Sequence, residues 1–251
     1  MQSTRLKNAP IKEAVIHFQF SEGSQLSQSV IKKIGENVLN KIFPTQNEMF
    51  LITMEHDFNS TIKKVKSSDS QKIIGLRFQD AENNWVFQLR TDSLSLSKLK
   101  NYISWEEIKD FALKLLHEIK PQIPASKFSR ISARYINQFS LTFKDDIIEN
   151  NLFLVPLIPN GVPTSIDAFD LRIIISKEEE GLKSIVNEAV SPIIQTKGLY
   201  NIVLDIDTIK ESEYSLKGIK KIENDLELIR NFKNQIFFNS LTEQTLSLFN
   251  K

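Results

Sequence analysis

Three observations in this sequence predict an α+β protein built on a mainly antiparallel sheet with covering helices. Ala14, Ile16, Phe18 and Phe20 alternate with Glu13, Val15, His17 and Gln19, the period of a strand that turns one face to a core. Apolar residues recur at three-four spacing in three later stretches, as in helices that lie on a sheet. Short β-type runs separated by polar turns fill the space between them. The order strand, helix, strands, helix occurs twice, which predicts two tandem β-α-β(2-3)-α halves packed together, residues 1–125 and 126–251.

The elements follow in chain order. Pro10 marks the entry to the first strand. The polar stretch from Ser21 to Ser29 leads into Val30, Ile31, Ile34, Val38, Leu39, Ile42 and Phe43, one helical face that Pro44 stops. Strands are predicted at Met49 to Met54, Lys72 to Phe78 and Asn84 to Leu96, the last two joined by the polar turn Gln79 to Asn83. Ser104-Trp-Glu-Glu107 reads as a capping box, in which the Ser104 hydroxyl accepts from the Glu107 amide and the Glu107 side chain reaches back. The helix it opens buries Ile108, Phe111, Ala112, Leu115, Leu116 and Ile119 and ends at Pro121 and Pro124.

The second half runs from a strand at Ile131 to Leu141, through a short helix near Asp145 and an irregular Pro156-to-Pro163 connection, to strands at Phe169 to Ser176 and Ile202 to Ile209. Leu182 to Gln195 is ambiguous by periodicity and fits a helix followed by a strand. A long helix from about Leu216 comes last.

At 251 residues the chain can bury roughly 70 to 75% of its unfolded surface, enough for a core without disulfides or metal. Hydrophobic residues make up 41% and charged residues 25%, with a formal net charge of +1. That balance supplies no global drive toward nucleic acid or anionic membrane. Apolar runs shorter than ten residues and an N-terminus without an apolar signal core predict neither a membrane span nor export. Zero cysteines exclude disulfide frameworks, thiolate metal sites and thiol catalysis, and a cytoplasmic location fits. With seven glycines and neither G-x-G-x-x-G nor G-x-x-x-x-G-K-[ST], the common phosphate loops are missing.

Several polar residues stand out. Asp205 and Asp207 in Leu204-Asp-Ile-Asp207 share one strand face. They could hold a divalent cation, with Glu13 as a third ligand, and so support phosphoryl chemistry on a nucleotide or phosphorylated ligand. The favoured alternative pairs them across the sheet with Arg134, whose planar fork matches a carboxylate. Tyr135 and Asn137 point to the opposite side from Arg134, where either could line a pocket or hold a structural hydrogen bond. The three histidines, His17, His56 and His117, show no paired metal spacing. His17 shares its face with Glu13, as a general base under a cleft or, the favoured reading, as a sheet histidine. Lys63, Lys64, Lys66 and Lys72 form a basic cluster around Ser67 to Ser70, read as a solvated loop.

The last helix carries the strongest interaction signal. Ile219, Ile222, Leu226, Ile229 and Ile236 form an apolar seam, with Lys233 interrupting it and Phe232, Phe237 and Phe238 widening it. The seam packs on the helix's own sheet or forms a dimer or partner interface.

Leu6, Asn8, Pro10, Glu13 and Ala14, followed by Ser104-Trp-Glu-Glu107, Arg134-Tyr-Ile-Asn137 and Leu204-Asp-Ile-Asp207, resemble in their order a sporadically distributed bacterial family. Its members open on an Asn-Ala/Pro-Pro-x-x-Glu-Ala phrase. The family has no established activity, so the resemblance implies no mechanism; its sporadic distribution implies a stress or defence locus. The expected function is therefore a non-catalytic binding or accessory protein with a protein partner or a second copy, and no cofactor. A metal-dependent enzyme at Asp205 and Asp207 is the alternative, and a small-ligand sensor with a cleft between the halves is a third reading.

Overall fold

In the computed structural model, which describes residues 6–52, 71–143, 151–157, 159, 161 and 166–250, the N-terminal alternation forms β1 (Ile11–Phe20). Its Ala14, Ile16, Phe18 and Phe20 are buried. Ser27 then caps α1 (Gln28–Asn37) by accepting from the Val30 amide. The predicted apolar face continues through one 3₁₀ turn, Leu39–Lys41, because the helix relaxes into it before Pro44.

β2 (Thr45–Ile52) and β3 (Gln71–Gln79) pair next. The predicted strand Asn84 to Leu96 is two strands, β4 (Trp85–Arg90) and β5 (Ser93–Lys98). Thr91 and Asp92 turn the chain without glycine or proline, and the Asp92 carboxylate accepts from Ser93 Oγ and pairs with Arg90. In β3, a Cβ at Gly75 would lie 2.4 Å from the Leu89 carbonyl oxygen on β4, so only glycine allows that approach.

Asn101 adopts a left-handed φ of 53° that asparagine tolerates, and it swings the chain from β5 into α2 (Trp105–Ile119). Half of the expected capping box is present. Ser104 Oγ accepts from the Glu107 amide at 3.2 Å, but the Glu107 carboxylate turns to Lys98 Nζ at 3.2 Å. A charge partner outcompetes a neutral amide for that side chain.

β6 (Lys127–Thr142) is longer than its apolar core predicted, because its ends pair with β9 (Leu199–Ser215), which is longer still. The ambiguous Leu182 to Gln195 segment contains a single strand, β8 (Leu182–Pro192), paired with β7 (Phe169–Lys177) on one side and β9 on the other. Its buried residues alternate at period two, so tertiary pairing settles what local pattern left open. α3 (Ile219–Ser240) and α4 (Glu243–Leu248) complete the chain. The helix expected near Asp145, the end of the strand expected to reach Met54, His56 and the Lys63 to Ser70 cluster lie outside the described residues.

All neighbouring strands are antiparallel, in the order β2-β3-β4-β5-β1-β6-β9-β8-β7. β1 and β6 stand at the middle of the sheet, and each is followed by a meander, β2 to β5 or β7 to β9, whose last strand pairs with it. One continuous sheet results, joined at the β1–β6 ladder, where Ile16 stands opposite Ala133. One face joins the helices in a single hydrophobic core that includes Ile16, Leu96, Phe87, Tyr135, Leu204 and Ile206 with Ile34, Leu116 and Ile229. The other face carries Glu13, His17, Arg134, Asp205 and Asp207.

Candidate functional site

β6 is the strand on which the polar residues meet, and its two faces do different things. On the helix-free face, Arg134 donates from Nε to Asp205 Oδ1 at 2.8 Å and from Nη2 to Asp205 Oδ2 at 2.7 Å. Asn187 on β8 donates to the same Oδ2 at 3.2 Å. Asp207, directly opposite Arg134 in the ladder, bonds with Ser132, and burial raises its pKa despite that bond and the nearby arginines. Both oxygens of Asp205 are thus occupied, and a cation would have to displace a bidentate guanidinium to use them. Glu13 lies on the same face, close enough for its charge to act on Arg134. Among the described residues, no group of three or more histidine, cysteine, aspartate or glutamate side chains is arranged to hold a metal ion. His17 on this face meets Gln19 Oε1 at 3.3 Å, and desolvation lowers its pKa, so the ring is neutral at pH 7.

The apolar seam on α3 packs on the helix's own sheet, one of the two readings its sequence offers. Ile222, Leu226 and Ile229 are fully buried against this chain's own sheet, Ile236 is nearly so, and Ile219 is half-buried at the helix start. The seam faces inward because β6, β8 and β9 present it with an apolar surface. It offers no free stripe to a second molecule.

The helix-side face of β6 opens into a cleft of about 370 Å³. Leu6, Pro10 and Ile11 form one wall, Tyr102 to Glu106 a second, Tyr135 and Asn137 the floor, and Arg230, Lys233, Phe237 and Phe238 of α3 the third wall. A register shift between Ile11 and Glu13 puts Ile11 opposite Asn137, so a β-bulge turns Ile11 toward the cleft while Glu13 stays on the other face. Asn137 is anchored by donation from Nδ2 to the Leu204 carbonyl at 2.9 Å. Three of the four phrases singled out in the sequence line this cleft, and the fourth supplies that carbonyl.

Lys233 is the unusual member. It stands where the apolar seam of α3 is interrupted and is only 7% exposed. Its Nζ sits 3.7 Å from the centroid of the Tyr135 ring and donates to Asn234 Oδ1 at 2.7 Å. Among the described residues no carboxylate forms a salt bridge with it. Desolvation, with a smaller push from the Arg230 charge, lowers its pKa to about 7. Lys98, also buried, provides the contrast, since its charge is met by Glu107 and by the Trp85 ring at 4.1 Å.

The rest of the cleft is polar and fixed. Tyr102 and Tyr135 share a hydrogen bond between their hydroxyls at 3.1 Å with the rings edge to face, and burial raises both pKa values, so both keep their protons at neutral pH. Arg230 bridges Glu106 of α2 at 3.2 Å and Glu227 at 3.4 Å, and Glu227 also accepts from Trp105 Nε1 at 2.9 Å and Lys109 at 2.7 Å. This lattice pins α2 to α3 beside the opening. In the sequence, Tyr135 and Asn137 read as pocket candidates and Lys233 as a break in a seam. A lysine at a core position of a helical repeat was the available signal. Arg230, Tyr102 and Phe238 carried none strong enough to assign them to the site.

No protein-family model matches the chain, and no curated protein matches it. The functional reading therefore rests on the cleft.

Proposed function

We propose that this chain is a cytoplasmic, non-catalytic binding protein whose cleft takes a small molecule with an acidic group on an apolar or aromatic body. The observation that carries the proposal is Lys233, a lysine amine buried in a cleft wall without a carboxylate. Holding it charged there costs free energy that an incoming anion would offset, while Arg230 strengthens the local positive potential. Tyr135, Phe237, Phe238 and Ile11 supply the apolar body of the site, and Asn137 a fixed polar wall. Because the anion favours the ammonium form, binding takes up a proton near pH 8.

Native purification followed by mass spectrometry of released small molecules tests the proposal, together with thermal-shift measurements on carboxylates and phosphates. Support is a co-purifying acid whose stabilisation of the protein is lost in Lys233→Met. An empty protein whose melting no acid-bearing compound changes refutes it.

A further inference from the structure

The proposed ligand has one end, the acid, for which the cleft has two cations. Arg230 already lies in a lattice with Glu106 and Glu227. Lys233 is different, because its neighbours are an aromatic face, an amide oxygen and a cation. None of these supports an ammonium ion as a carboxylate would. Lys7, Arg230, Glu106, Tyr102 and Tyr135 are the titratable groups around the cleft, and the charge that acts on the amine is the like charge of Arg230. A lysine in that setting is shared between its amine and ammonium forms near neutral pH, whereas an exposed lysine is almost wholly protonated.

We infer that Lys233 captures carbonyl compounds, so that the cleft holds an acid-bearing aldehyde or ketone as a reversible imine on Nζ. This rests on the binding reading above and names its ligand class. The Nζ lone pair adds to the carbonyl carbon, the C=O π bond breaks, and the oxygen takes up a proton as nitrogen gives one up. The resulting carbinolamine then loses its hydroxyl as water, and the nitrogen electrons form the C=N bond. One water leaves and no electrons enter or leave, so no oxidant or reductant is needed. The Tyr102–Tyr135 hydroxyl pair lines the same cleft, where it can hydrogen-bond the carbinolamine oxygen, and the proton that nitrogen gives up leaves with the hydroxyl as water. Once Lys233 is held in the imine the acid group passes from it to Arg230, whose five N–H donors exceed the contacts it makes with Glu106 and Glu227, and burial protects the imine from bulk water.

The test uses the full chain at pH 7.5 with 4-formylbenzoate as the probe. Sodium cyanoborohydride traps any imine as a secondary amine, and peptide mapping by mass spectrometry locates the label. The expected result is labelling of Lys233 at least about tenfold faster than of any surface lysine. 4-Methylbenzoate, which keeps the acid and lacks the carbonyl, should bind and slow that labelling. Lys233→Arg should abolish the label and still bind 4-methylbenzoate; if that variant does not fold, the peptide map of the unaltered protein decides alone. Label spread over surface lysines or lodged on Lys7, with Lys233 untouched, overturns the inference. If 4-methylbenzoate binds and Lys233 stays unlabelled, imine capture falls and the binding reading stands. If Lys233 is labelled and 4-methylbenzoate neither binds nor protects, the amine chemistry stands and acid recognition falls.

Discussion

Replacing Lys233 with methionine should make this protein more stable at neutral pH, and the size of the gain should depend on pH. Methionine matches the lysine stem in length and flexibility and removes the amine from the core. Desolvation takes the amine from an ordinary value of 10.5 to about 7 in the folded protein, which corresponds to roughly 5 kcal/mol of destabilisation when the charge is kept. That cost is present in full below pH 7. Between pH 7 and 10.5 the unfolded chain holds a proton that the folded one has released, so stability rises with pH across this window and the cost is gone above it. Against the gain stands the lost hydrogen bond to Asn234, worth about 1 kcal/mol, and some contact with Tyr135. The net expectation at pH 7 is about 3 kcal/mol in favour of Lys233→Met, or roughly 6–12 °C in Tm. Paired urea melts of both proteins from pH 6 to pH 10.5 measure the difference directly and cancel the other titrating groups. A variant that is less stable at pH 7, or a difference that does not change with pH, would refute the buried-amine argument.

Three more outcomes are expected. Glu188 on β8 is fully buried, neither carboxylate oxygen has a hydrogen-bond partner among the described residues, and desolvation raises its pKa to about 8. The folded protein keeps a proton there that the unfolded chain loses above pH 4.5, so stability falls as pH rises toward 8; Glu188→Gln should gain roughly 2–4 kcal/mol at pH 8 and nothing at pH 4, read from the same melts. Arg134→Ala removes both donors from buried Asp205 and leaves it only Asn187; because the guanidinium is half-exposed, the loss should be about 1–2 kcal/mol, and a double-mutant cycle with Asp205→Asn should recover about 1 kcal/mol of coupling. Ile222→Asp with Ile229→Asp places two unpaired charges in the core, so circular dichroism and gel filtration should show unfolded or aggregated protein; a folded double variant of any oligomeric state contradicts the inward seam.

Local information ends where a conformation depends on residues distant in the chain. The β1 alternation, the Ser104 cap and the stripes of α2 and α3 are carried by residues within a few positions of one another. Their conformations follow from backbone period and nearby hydrogen bonds. The Thr91-Asp92 turn was hidden because neither residue is a strong breaker, and β8 because a short apolar run suits helix and strand alike. Arg134 and Asp205 were legible as partners, since strand parity put them on compatible faces. Tyr135 and Asn137 were legible as a pair facing the other way, but nothing near them in sequence said that a cleft lay there.

By itself, the amino-acid order determined the α+β class, the antiparallel preference, the inward and outward faces of β1 from Glu13 onward and of β6, and the apolar seam of α3. Tertiary structure decided that β1 and β6 join the halves into one sheet, that a bulge turns Ile11 toward Asn137, and that the lysine in the seam ends beside Tyr135 and Arg230. Local period is written in neighbouring residues. The charge state of a buried amine depends on atoms that distant parts of the chain bring around it, and on the water that they exclude.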